Sequence, residues 1–280
     1  MNFAERDMKG GPGRILMPGY IDTTDPERLG RLTGGIFYDF MIGERFRTSG
    51  WEVEYFDLET LPRYAKMLKL PSAGIISHRC GNAFNLLVTT LGCSTLTLGL
   101  QRMANRHGRF TVLICHHFRG HLERTPLRRF LYRWTEKRIV READFIIAIS
   151  GSTVRKLEEL GRSGQDVLLA RPGLNVRLAD EPKFREDPHR LLLVGNIEER
   201  KGILEAVKAL AYSNLENVEL CIVGERNFDQ GYLRKVEECI GELGLEERVH
   251  ITGRLSDADL ATEYNRADVF LLPSYWEGYG

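Results

Sequence analysis

The sequence predicts an α/β chain of two Rossmann-like domains, and three observations predict it. Short apolar runs such as Arg14–Pro18 and Leu191–Val194 read as strands buried on both faces. Segments with apolar residues at helical spacing separate those runs. The alternation halts at a polar stretch, Asn175–Pro188, which has two prolines and no apolar period, and then restarts. Strands and helices alternating in this way make parallel sheets with helices on both faces. The expected division is an N-terminal domain over 1–174, a linker over 175–189 and a C-terminal domain over 190–280. A chain of 280 residues is long enough for two such domains.

In the first half the expected strands are Arg14–Pro18, Trp51–Asp57, Gly74–Ser77, Phe110–Cys115, Asp144–Ser150 and Asp166–Ala170. A helix follows Gly34-Gly35, marked by Ile36, Phe37, Phe40 and Met41. Another runs from Thr125 to Glu142, with Pro126 suited to its first turn because proline lacks an N–H that would go unpaired there. Ser152 or Thr153 is expected to cap the next helix, which ends near Gly161. The uncharged stretch Cys80–Gln101 holds too many Asn, Thr and Ser residues for a membrane span and reads as buried or cleft-lining helices. In the second half, strands at Leu191–Val194, Val218–Val223, Val249–Thr252 and Val269–Leu272 enclose helices at Ile203–Tyr212, Tyr232–Leu243 and Asp257–Arg266.

Charge is balanced, 39 basic against 39 acidic residues, so nothing global calls for nucleic acid. The five cysteines are scattered without CxxC spacing, which argues against a zinc site or a disulfide framework and for a reducing cytoplasm. The first residues, MNFAERDMKGGPG, lack the apolar core of a signal peptide.

The loop after Leu191–Val194 carries the first chemical signal. Gly195 and Asn196 end the strand, Glu198, Glu199, Arg200 and Lys201 follow, and Gly202 opens a helix. Cations at the carboxyl end of a buried parallel strand lie where open α/β sheets bind ligands. The next helix adds free N–H groups and partial positive charge, a combination that suits a phosphate.

The spellings then become specific. VGNIEERKG at Val194–Gly202, GRLSDADLATEYNRADVFLLPS at Gly253–Ser274 and EGYG at Glu277–Gly280 resemble a retaining glycosyltransferase of family 4. Gly34-Gly35, His116-His117, ADFIIAIS at Ala143–Ser150 and RPG at Arg171–Gly173 extend the resemblance through the first half. The resemblance implies GT-B architecture, two Rossmann-like domains facing a cleft. It also implies transfer of a sugar from a nucleoside-diphosphate sugar to an acceptor hydroxyl of a glycan, a lipid or a small molecule, with retention at the anomeric carbon. No metal or other cofactor is expected.

The same resemblance assigns roles. Lys201 matches the diphosphate-binding lysine, with Arg200 a second cation; Asn196 stands where the family often has an arginine. An amide can donate a hydrogen bond but brings no charge. Gly34 and Gly35 would bring backbone N–H groups near the diphosphate, since no Cβ blocks the approach. His116 matches the strand-end histidine near the donor sugar, with His117 the second choice. Glu277 matches the first glutamate of an E-x7-E motif, with Gly278, Tyr279 and Gly280 beside it. The second glutamate of that motif would come after Gly280, so the C-terminal domain is expected to be incomplete, with part of its sheet uncovered. His117 and His121 stand four apart like a metal pair, but no HExxH glutamate lies between them and Arg119 and Arg124 flank them.

The helix over 125–142 has a basic side (Arg129, Arg133, Lys137, Arg141) and an apolar stripe (Leu127, Phe130, Leu131, Trp134, Val140). It reads first as a surface helix with its stripe in the core. The alternative is a peripheral membrane contact by a basic amphipathic helix. Two rivals stand beside the transferase reading. One is an inactive glycosyltransferase-like fragment, supported by the missing second glutamate. The other is a nucleotide-dependent oxidoreductase, opposed by the lack of GxGxxG after any strand.

Overall fold

The computed structural model describes residues 13–18, 34–56, 84–92, 95–118, 120, 123, 125–173, 189–213 and 215–279. The chain forms two compact units that divide between Pro172 and Gly173. Gly74–Ser77 and all of the expected linker but His189 lie outside the described residues.

The first unit holds strands β1 (Arg14–Pro18), β2 (Glu52–Phe56), β3 (Asn85–Thr89), β4 (Thr111–Cys115), β5 (Phe145–Ala148) and β6 (Val167–Leu169). They form one sheet in the order β2-β1-β3-β4-β5-β6, with every pairing parallel. Successive side chains point to opposite faces, and each face is covered. Leu16, Leu86, Val88, Leu113 and Ile146 pack with Leu100 of α2 (Thr95–Arg106), Ile139 of α3 (Pro126–Glu142) and Leu157 of α4 (Gly151–Glu159). Ile15, Met17, Leu87, Val112 and Ile114 pack on the other face with Ile36, Ile42 and Phe46 of α1 (Gly34–Thr48).

Three expectations need correction here. Residues 85–89, read as part of a helical stretch, form β3. All five of its residues are buried, and a strand covered on both faces shows no alternation to set it apart from a buried helix. The cap of α4 is Ser150, whose side chain accepts from the Thr153 N–H, rather than Ser152 or Thr153. Of the apolar stripe of α3 Val140 is in the core, but the other four residues are not: Leu127, Phe130, Leu131 and Trp134 are 68, 66, 50 and 42% exposed. The side of α3 that packs inward is formed by Thr135, Glu136, Ile139 and Val140.

The second unit holds β7 (Arg190–Val194), β8 (Glu219–Val223), β9 (Val249–Gly253) and β10 (Val269–Leu271), in the order β10-β7-β8-β9 and all parallel. Helices α5 (Ile203–Tyr212) and α6 (Gln230–Glu242) pack on one face through Val207, Leu210, Val236 and Ile240. Helix α7 (Asp257–Arg266) covers the other through Leu260 and Tyr264, against Leu192, Cys221 and Val223. The edge strand β10 leaves Val269 and Phe270 exposed. Among the described residues no helix is long and apolar enough to cross a membrane.

Candidate functional site

In the second unit, β10 lies directly beside β7 with Leu271 opposite Leu193. Parallel neighbours end on the same side, so the loops that follow them meet. The Arg200 carbonyl accepts from the Tyr275 N–H at 3.0 Å, and the Arg200 guanidinium donates to the Trp276 carbonyl at 2.8 Å. Glu199–Lys201 make one 3₁₀ turn, and Gly202 follows at φ +65°, in the left-handed region. A Cβ at Gly202 would fall on the Pro273 carbonyl, so the two loops approach there because glycine has no side chain.

This stitching brings four charged groups together. Lys201 Nζ donates to Glu277 Oε1 at 2.7 Å, and Arg200 donates to Glu277 Oε2 at 3.0 Å. The other side of the Arg200 fork donates to Glu198 at 2.7 Å. Lys201 and Glu277 are largely buried, with side chains 16 and 19% exposed. Burial opposes ionisation of Glu277, but Lys201, Ser274 and Arg200 outweigh it and hold its carboxyl below the usual carboxylate range. The Lys201 stem lies against Gly195, where a Cβ would come within 3.0 Å of Cε. Two cations are matched by two carboxylates, so the cluster holds paired, preoriented donors rather than bare positive charge.

The structure therefore brings together Arg200, Lys201 and Glu277 of the expected donor residues. Asn196 is half-buried on the same loop, and its Cα would lie 3.4 Å from a Cβ at Gly224. Gly278 follows half-buried, and Tyr279 is 45% exposed. Gly280, His121 and Arg124 lie outside the described residues. Sequence reasoning missed Glu198 as a partner of Arg200. Its place two residues before the cation was the available signal.

In the first unit, His116 follows β4 and is 3% exposed. Its Nε2 lies 2.6 Å from Oδ1 of Asp39, which is fully buried in α1. The imidazole tautomer sets the donor of this contact: opposite an ionised carboxylate, which only accepts, it is Nε2 that carries the hydrogen. The second Asp39 oxygen, Oδ2, is buried without a hydrogen-bond partner among the described residues. The Thr90 hydroxyl accepts from the N–H groups of His116 at 2.9 Å and His117 at 3.2 Å, while Thr153 donates to the His116 carbonyl at 3.3 Å. Tyr38 meets the imidazole edge-on at 5.7 Å.

The expected glycines start α1. Gly34 is exposed with open space where a Cβ would stand. Gly35 is close-packed: a Cβ there would come 2.8 Å from Leu91 and 3.5 Å from His116 Nδ1. A side chain at Gly35 would thus press on Leu91 and on the second imidazole nitrogen. His117 is half-buried beside His116. Asp39 was not anticipated, although a carboxylate inside the apolar run GGIFYDFMI was a signal for it. Among the described residues no three His, Cys, Asp or Glu side chains gather to hold a metal.

Residues 177–280 match the family model described as Glycosyl transferases group 1. The chain is similar to the mannosylfructose-phosphate synthase of Agrobacterium fabrum, 26% identical over 159 residues, which is 51% of this chain and 35% of that protein. It is also similar to the MMP alpha-(1->4)-mannosyltransferase of Mycolicibacterium hassiacum, 27% identical over 161 residues, 56% of this chain and 38% of that protein. The similarity thus spans little more than a third of either relative. Among solved structures, the sucrose-phosphate synthase of Thermosynechococcus elongatus superposes with a TM-score of 0.72 at 19% identity, over 96% of this chain and 77% of that one. HepE of Anabaena, solved in complex with UDP and glucose, superposes with a TM-score of 0.62 at 17% identity, over 95 and 76%. These likenesses show a fold of the GT-B type.

Proposed function

We propose that this chain, whose residues 177–280 carry a group 1 glycosyltransferase domain, moves a hexose from a nucleoside-diphosphate sugar to an acceptor hydroxyl with retention of anomeric configuration. The observation that carries the proposal is the Arg200–Lys201–Glu277 cluster, built where the loops after β7 and β10 meet. When the sugar leaves, negative charge grows on the diphosphate, and fixed donors aimed at that charge lower the barrier. Lys201 and Arg200 are such donors. Glu277 holds their side chains in place before the donor arrives and shares them with the diphosphate afterwards, its carboxylate then meeting the sugar hydroxyls.

His116 serves at the sugar end of the reaction through Nδ1, the nitrogen that Asp39 does not engage. Asp39 is a positioning residue: it fixes the ring's orientation and places a hydrogen on Nε2. The departing phosphate takes the acceptor proton, so no protein base is required. The HepE complex with UDP and glucose supports a nucleotide-linked sugar as the class of donor, by likeness of fold.

The direct experiment is calorimetric titration of the chain with UDP, GDP and ADP, repeated on Lys201→Ala. The expected result is binding of one nucleotide that weakens in the variant. No binding of any nucleoside diphosphate, or equal binding by the variant, would overturn the assignment.

A further inference from the structure

The geometry points to α3 as a docking face for an anionic lipid bilayer, a role separate from sugar transfer. Leu127, Phe130, Leu131 and Trp134 recur at i, i+3, i+4 and i+7, so they form one stripe. At roughly 100° per residue this stripe lies on the side of the helix away from the buried Glu136 and Ile139. A helix serving only the core has one apolar side. This one has its inward side satisfied and a second apolar side 42 to 68% exposed.

The charges select the occupant. Arg128, Arg129, Arg133, Lys137, Arg138 and Arg141 give six cations within Pro126–Glu142, against Glu136 and Glu142. Both acids are engaged: Glu136 accepts from the Gly120 N–H at 3.2 Å, and Glu142 accepts from Arg102 at 2.8 Å and also pairs with Arg138 of the helix at 3.7 Å. The excess is local, because the chain as a whole is neutral. A second copy docking by a two-fold axis would set these cations against their own counterparts, which is repulsive. A nucleic acid would satisfy the cations but not the exposed leucines. A bilayer with anionic headgroups satisfies both, the apolar stripe entering the acyl boundary and the flanking cations staying at the headgroups.

A neighbouring cavity of about 530 Å³ adds to this. Phe118, Trp134 and Leu160 line it together with Arg133, Lys137 and Lys156 and one acid, Glu136, an apolar body with more cations than acids around it. That chemistry suits the glycerol and phosphate of a lipid headgroup. Arg138 also lies over the Trp134 ring at 5.4 Å, which joins a cation to the apolar stripe.

Co-sedimentation of the full chain with vesicles of phosphatidylcholine alone, and of phosphatidylcholine mixed with phosphatidylglycerol, tests the proposal. Binding is expected only to the mixed vesicles, falling with salt and accompanied by a blue shift of tryptophan emission that Trp134→Phe removes. Lys137→Glu with Arg141→Glu, two exposed side chains, should weaken vesicle binding by about tenfold or more. Phe130→Glu should weaken it similarly, and both variants should keep the wild-type circular dichroism and melting temperature. The proposal is overturned by no binding at low salt, by equal binding to neutral vesicles, or by charge-reversed protein that binds as wild type does. It is equally overturned if ultracentrifugation shows a dimer that Phe130→Glu dissociates while vesicles bind nothing, or if only nucleic acid is retained.

Discussion

Glu277 accepts a hydrogen bond from Lys201 at 2.7 Å across 76 positions of sequence. The contact exists because β10 pairs with β7, so a residue near the end of the chain is carried beside the loop after the first strand of its unit. The same carboxylate accepts from Arg200 at 3.0 Å, so one acid holds both cations of the candidate donor site.

Removing that acid should be felt first as a pH-dependent loss of stability. The Glu277 carboxyl is held below its ordinary value of 4.5, because its cation partners outweigh burial. A depressed folded-state value stabilises the protein above the ordinary value, and the contribution is lost as pH falls through the folded one. Glu277→Gln should therefore cost about 1–2 kcal/mol at neutral pH. The difference from wild type should shrink as pH drops below 4.5. Urea melts at neutral and acidic pH measure this, and a constant difference would contradict it.

Lys201→Ala should lower stability by about 1–2 kcal/mol, because it breaks the same ion pair with Glu277, and should also weaken nucleoside diphosphate affinity. A charge-assisted hydrogen bond of this kind contributes about 1.5–3 kcal/mol, roughly ten- to a hundredfold in Kd. Calorimetric titration reads the affinity, and Lys201→Arg should restore only part of it, since a planar fork does not replace a point charge.

Asp39→Asn should act through His116. An asparagine can keep the contact at Nε2 by donating from its amide, which forces the imidazole to carry its hydrogen on Nδ1 instead. If Nδ1 serves the donor sugar, kcat should fall at least about tenfold with KM nearly unchanged, and the pH–rate profile should shift. Asp39→Asn with wild-type kcat and an unaltered profile would show that the pair only supports packing.

Gly202→Ala should destabilise the second unit by about 2 kcal/mol or more, because the position combines left-handed backbone with a Cβ directed at a carbonyl. Gly34→Ala, with open space around it, should change stability by less than about 1 kcal/mol and provides the control. Thermal melts compare the two.

Much of the fold was legible because its signals are local. The apolar runs at Arg14–Pro18 and Leu191–Val194 and the helical spacing of Ile203, Val207 and Leu210 follow from the burial of faces one element at a time. β3 was not legible as a strand: Asn85–Thr89 is covered on both faces, so period, the main guide, is silent there. The stripe of α3 was legible, but its direction was not. Periodicity reports that apolar residues share a side, whereas which side meets the sheet depends on the neighbours that α3 packs against.

The same division holds for the candidate site. By itself the sequence determined that two cations stand in a loop between a buried strand and a helix, because that arrangement is spelled within Arg190–Leu210. Only the tertiary structure decided that Glu277 joins those cations, and that a fully buried Asp39 meets His116. Strand order and helix docking bring such partners together from 76 and 77 positions away, and no local pattern encodes which carboxylate will arrive.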